Sequence, residues 1–122
     1  MAFDKKQMIQ RQRAFVLKVI GMIEGLPKGL VYDTIARQLI RCSTSVGANY
    51  RAACRGKSTA DFINKLKIVE EEADECLYFL DLLSAVKNTD INILKELMKE
   101  ANEILAITVA SIKTAKNNKD KK

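Results

Sequence analysis

The chain has 122 residues, 48% of them apolar and 30% charged, with one proline, five glycines, no tryptophan and no histidine. That composition suits one soluble domain built from a few long helices, and it excludes a Cys–His nucleophile, a Ser–His–Asp set and any His-containing metal motif. The formal net charge is +6, and three cysteines without a CxxC pair suit a reducing compartment.

The first residues, MAFDKKQMIQRQR, lack the apolar run of a signal peptide, and no stretch approaches membrane-spanning length. Cytoplasmic residence without a membrane partner is the expectation. Helical periodicity begins at about Asp4 and runs to Gly25, with Phe15, Val19, Ile23 and Leu26 on one stripe. Leu26-Pro27-Lys28-Gly29 supplies a turn, because proline and glycine both punctuate helices. A second helix is predicted from about Val31 to Arg55, with Ile35, Leu39, Cys42, Val46, Asn49 and Ala53 in alternating steps of three and four.

The next turn, Gly56-Lys57-Ser58, has the last letters of a P-loop. A P-loop needs GxxxxGK[ST] after a strand, and Arg51 occupies the first glycine position here, inside a helical pattern. Gly56 instead reads as the glycine that ends helix two, and Ser58 as the cap of helix three, with Asp61 completing a capping-box-like pair. Helix three is predicted from about Thr59 to Lys87, through Phe62, Leu66, Val69, Ala73, Cys76, Leu80 and Leu83. Helix four is predicted from about Ile91 to Lys116, through Leu94, Met98, Ala101, Leu105, Thr108, Ile112 and Ala115. Residues 117–122 read as a disordered lysine-rich tail beyond a bundle spanning 1–116.

Sustained three–four spacing is the mark of knobs-into-holes packing. A hairpin folded about residues 57 and 58 lays Ala53 against Phe62, Asn49 against Leu66, Val46 against Val69 and Cys42 against Ala73. Short connections then make an all-α, antiparallel up-down-up-down four-helix bundle the economical topology. The same register sets Arg41 level with Asp74, an expected interhelical ion pair. Asn49, polar at a seam position, needs a partner.

Charge is unevenly spread. Residues 14–112 carry twelve basic and thirteen acidic side chains, so the excess lies at the chain ends. In an up-down bundle the start of helix one, end of helix two, start of helix three and end of helix four share a pole. That pole collects the terminal lysines with Arg51, Arg55, Lys57, Lys65 and Lys67, an electrostatic footprint for polyanions. Arginine's planar fork favours phosphate or carboxylate, so the candidate nucleic-acid contacts are Arg11, Arg13, Arg51, Arg55, Lys57 and Lys65. The acidic run Glu70-Glu71-Glu72-Ala73-Asp74-Glu75 invites a di-iron reading, but the chain has no histidine and Glu96, Glu100 and Glu103 of helix four are not in ExxH spacing, so no metal or cofactor is expected. With no catalytic group in sight, no enzymatic activity is expected either. Apolar residues off the main stripes, Leu97, Ile104, Ile107 and Val109 on helix four and Val16, Leu17 and Ile20 on helix one, point to self-association.

The run Thr44-Ser45-Val46-Gly47-Ala48-Asn49-Tyr50-Arg51-Ala52-Ala53-Cys54-Arg55, followed by Lys57-Ser58, Asp61-Phe62, Lys65-Leu66 and Ile68 to Glu75, resembles the bacterial four-helix bundle proteins, also called 23S rRNA intervening-sequence proteins. The resemblance covers most of residues 10–86. It implies a closed up-down bundle, a barrel-like homopentamer, and kinship with the nucleic-acid-binding accessory determinant of diversity-generating retroelements. No enzymatic activity goes with the family. Many members carry Asn-Ile-x-Glu-Gly where this chain has Asn49-Tyr50-Arg51-Ala52-Ala53, which marks a distinct branch. Two functions follow as expectations: a homo-oligomeric module binding RNA or DNA through its basic pole, or a structural adaptor recruiting another protein.

Overall fold

The computed structural model describes residues 4–120 and consists of four helices: α1 (Lys5–Glu24), α2 (Leu30–Cys54), α3 (Thr59–Ala85) and α4 (Ile91–Asp120). Each packs on its chain neighbours, and α4 also meets α1, so the four surround one core.

Local chemistry sets the helix ends. Asp4 accepts a hydrogen bond from the Lys6 N–H at 2.9 Å, and Asp90 accepts from the Asn92 and Ile93 N–H groups at 3.0 and 3.3 Å. Both use a side-chain oxygen to satisfy amides that the first helical turn leaves without partners. Ser58 caps α3 as expected, accepting from the Asp61 N–H at 3.1 Å. Asp61 returns its bond to the Lys57 N–H at 3.4 Å rather than to Ser58, a looser version of the reciprocal box. Gly29 precedes α2 at φ 151°, a conformation that L side chains rarely adopt, so the turn after Pro27 depends on glycine there. Gly56 stands just past the Arg55 cap, at the predicted position. Its φ is not positive, and a Cβ there would sit tightly, 3.1 Å from the Ala53 carbonyl oxygen and 3.3 Å from the Asp61 carboxylate.

The central seam residues are buried as expected: Leu39, Cys42, Leu66, Val69, Cys76, Leu80, Leu83 and Leu94 have no exposed surface. Truncating such a leucine costs about 2–5 kcal/mol through lost transfer energy plus the cavity it leaves. Elsewhere the buried stripes run on neighbouring residues. On α1 the stripe is Met8, Gln12, Phe15, Val19 and Met22, with Ile23 and Leu26 half-buried at its edge. On α2 Tyr50 fills the layer expected for Asn49. Asn49 sits at the margin, its amide bonded to the Ser45 carbonyl and hydroxyl oxygens, each at 2.9 Å, so its partner lies one turn back on its own helix. Ile63 replaces Phe62 as the buried residue of the first α3 turns. On α4 Leu97 and Ile104 are core residues, with Met98 and Leu105 beside them, which removes both from the surface available for self-association. In each case a 3.6-residue helix drifts from a strict 3.5-residue seam, and a sequence neighbour takes the inner position.

Cys42, which the register sets against Ala73, contacts Cys76, with the sulfurs 3.2 Å apart. Arg41 binds Glu72 (3.1 Å) and Glu75 rather than Asp74. A long guanidinium leaning along α3 reaches the residues that flank its level position on the same helix face. α4 continues through 117–120, residues that the sequence assigns to a disordered tail; no glycine or proline interrupts them, and basic residues suit a helix C-terminus. Residues 121 and 122 lie outside the described residues.

Candidate nucleic-acid interface

One open cleft is lined by Lys5 from the start of α1, Ala53 and Cys54 from the end of α2, Gly56 to Thr59 and Phe62 from the turn and start of α3, and Ala115 and Asn118 from the end of α4. The four helix ends that charge patterning assigns to one pole therefore meet. The Lys5 ammonium lies 5.1 Å from the centre of the Phe62 ring, within range of a cation–π contact.

The predicted contacts divide into three groups. Lys57 lines the cleft, and Arg51 and Arg55 lie within about one turn of it on the exposed end of α2. These three form a set. Arg13 is exposed on α1, about 12 Å along the helix from Lys5, and Lys65 is half-buried about 9 Å into α3. Both border the pole rather than its tip. Arg11 belongs elsewhere: its guanidinium grips Glu100 through Nε–Oε2 at 2.6 Å and Nη2–Oε1 at 2.8 Å, with Glu103 at 3.2 Å. The hydrogen bond to Glu100 is the main reason its pKa is raised. Its Nε and Nη2 are already engaged by two carboxylates.

A second groove lies between α3 and α4, lined by Ala60, Ile63, Asn64, Lys67, Lys116 and Lys119. None of the ion pairs among the described residues involves its lysines. The sequence carries the signal for it, since Lys113, Lys116 and Lys119 recur every third residue. Ending helix four at Lys116 hides that stripe.

Among the described residues, no group of three or more His, Cys, Asp or Glu side chains is placed to hold a metal ion, and no helix is long and apolar enough to cross a membrane.

Fold and surface together define a small all-helical bundle with a basic pole. The 23S rRNA-intervening sequence protein family matches residues 4–110, and the chain belongs to that family. Among solved structures it is similar to a protein of unknown function from the S23 ribosomal protein family of Bacteroides thetaiotaomicron, at 29% identity and a TM-score of 0.79, covering 87% of this chain and 98% of that one. No curated protein matches the chain.

Proposed function

We propose that this protein is a non-enzymatic, homo-oligomeric module that binds RNA or DNA through its basic pole, in the cytoplasm. The observation that carries this reading is the convergence of four helix ends on one cleft lined by Lys5 and Lys57, with exposed Arg51 and Arg55 within about one turn along the chain. The body between residues 14 and 112 is close to neutral, so the field of the molecule is concentrated where the ends meet. The meeting of these ends supports an antiparallel up-down-up-down course for the chain.

Self-association rests on apolar residues that the core leaves out. Leu17 and Val109 are exposed, and Val16, Ile20 and Ile107 are half-buried. Five copies, the number that the family resemblance implies, would gather the basic poles around one end and multiply a weak field. Light scattering would then return the mass of five chains. Three free cysteines fit a reducing compartment.

The test is fluorescence anisotropy of labelled RNA and DNA at low and near-physiological salt. Binding should fall steeply as salt rises, because phosphate contacts release counterions. Arg51→Glu with Arg55→Glu should weaken it and leave helicity intact. Absence of binding at low salt would overturn the reading and favour a structural adaptor that recruits a protein.

A further inference from the structure

The groove between α3 and α4 brings three cations together with no visible structural use. Lys67 stands on one wall and Lys116 and Lys119 on the other, all exposed, and none of the ion pairs among the described residues takes them. Lys116 and Lys119 are helix neighbours at i,i+3, where like charges repel. Asp61, the acidic residue of the first α3 turn, points a carboxylate oxygen back to the Lys57 N–H. The floor is apolar, with Ile63 buried and Ala60 beside it, while Asn64 adds an amide able to donate or accept. Cations on both walls, an amide beside Lys67 on α3 and apolar Ile63 and Ala60 are the parts of a seat for a phosphodiester backbone with its sugar.

Shape selects the kind of strand. The groove is a concavity of about 360 Å³ with lysines on both sides. A single strand can lie along its floor and meet lysines from both sides; a duplex, wider than the groove, rests on the rims.

We infer that the α3–α4 groove of Asn64, Lys67, Lys116 and Lys119 is a binding seat for single-stranded nucleic acid, in which the three lysines hold successive phosphates. The inference rests on the nucleic-acid reading above and adds to it the strand class and a contact set distinct from the arginines. In an assembly whose poles share one end, each copy brings its own groove, so a strand can pass from one to the next.

The experiment compares wild type with the Lys67→Ala/Lys116→Ala/Lys119→Ala variant on a labelled single-stranded oligonucleotide and its duplex, over a salt series. Alanine at exposed helical positions preserves the fold, which circular dichroism and a thermal melt verify. For the single strand, the variant should bind on the order of tenfold more weakly, and the slope of log K against log salt should shrink by about 2, the loss of three phosphate contacts. The duplex should bind wild type more weakly and lose less. A variant equal to wild type in affinity and slope overturns the groove while leaving the pole reading intact. Equal losses on both substrates overturn the strand selectivity. A wild type that binds neither at low salt removes both readings.

Discussion

Arg11 on α1 and Glu100 on α4 form a two-pronged ion pair, Nε to Oε2 at 2.6 Å and Nη2 to Oε1 at 2.8 Å, across the thinnest seam of the bundle. Along that seam Gly21 contributes no side chain, and a cavity of about 310 Å³ opens among Met22, Ile93, Leu97 and Glu100. The pair ties α1 to α4 where the two helices have the fewest close approaches of any neighbouring pair. Both partners are partly exposed, which keeps the energy modest despite the fork geometry.

A double-mutant cycle on Arg11→Ala and Glu100→Ala should return a coupling of about 1 kcal/mol that shrinks as salt rises. Hydrogen exchange in the single variants should quicken in α1 and leave α2 and α3 unchanged. Arg11→Ala should bind nucleic acid as wild type does; a drop comparable to that of Arg51→Glu would return Arg11 to the contact set.

Gln12 lies on the buried face of α1. It is 1% exposed, and neither its amide nitrogen nor its carbonyl oxygen has a partner among the described residues. An unpaired buried amide forfeits its hydration and gains nothing in return. Gln12→Met keeps the length and flexibility of the side chain while removing that penalty. The variant should be more stable by about 1–2 kcal/mol, read as a higher urea midpoint at unchanged slope. A midpoint below that of wild type would mean that the amide is satisfied, by bound water or a second copy of the chain.

Sequence reading reached the α2–α3 half of the fold more completely than the rest. Leu39, Cys42, Val46, Leu66, Val69 and Cys76 form a seam so regular that spacing alone locates them. It misplaced Asn49 and Tyr50 because both belong to the same helical step, and only the three-dimensional neighbours decide which turns inward. Leu97 and Ile104 fell outside a strict seam because α4 uses a broad apolar face, which periodicity reports as surplus. At the candidate site, sequence order placed Arg51, Arg55 and Lys57 on the pole. It could not show that Arg11 faces Glu100, a residue 89 positions away. Long-range pairing of charges depends on helix rotation, and that rotation is set by side-chain packing no local pattern encodes.

Cys42 and Cys76 sit fully buried with sulfurs 3.2 Å apart, whereas Cys54 is half-buried beside the polar cleft. The bond between the two buried thiols, together with burial, holds Cys76 protonated well above the usual thiol range. The same bond draws the Cys42 thiol below its usual range, yet neither residue has exposed surface, so a probe reaches neither sulfur in the folded protein. With a thiol-reactive probe at pH 8, one cysteine per chain should label promptly, and mass mapping should place it at Cys54. The other two should follow at the pace of opening, accelerating in urea in step with loss of helicity. Prompt labelling of Cys42 or Cys76 would show that α2 and α3 part more readily than their shared core suggests.

Tyr50 links packing to alkaline stability. It is 6% exposed, and its hydroxyl is pushed well above the ordinary tyrosine range, first by burial, then by Cys54 and the carboxylate of Asp4. In the unfolded chain tyrosine ionises near pH 10. Above that pH the unfolded state releases a proton that the folded state keeps, so the contribution of Tyr50 is intact below about pH 10 and is lost as pH climbs toward the folded value. The limiting slope for one such group is about 1.4 kcal/mol per pH unit. Tyr50→Phe keeps the ring in the core and has no proton to release. Urea midpoints at pH 9 and pH 11 should therefore fall further for wild type than for Tyr50→Phe, by about 1 kcal/mol in stability. Parallel falls in the two proteins would place the alkaline sensitivity in other groups, with the Tyr50 hydroxyl reaching solvent.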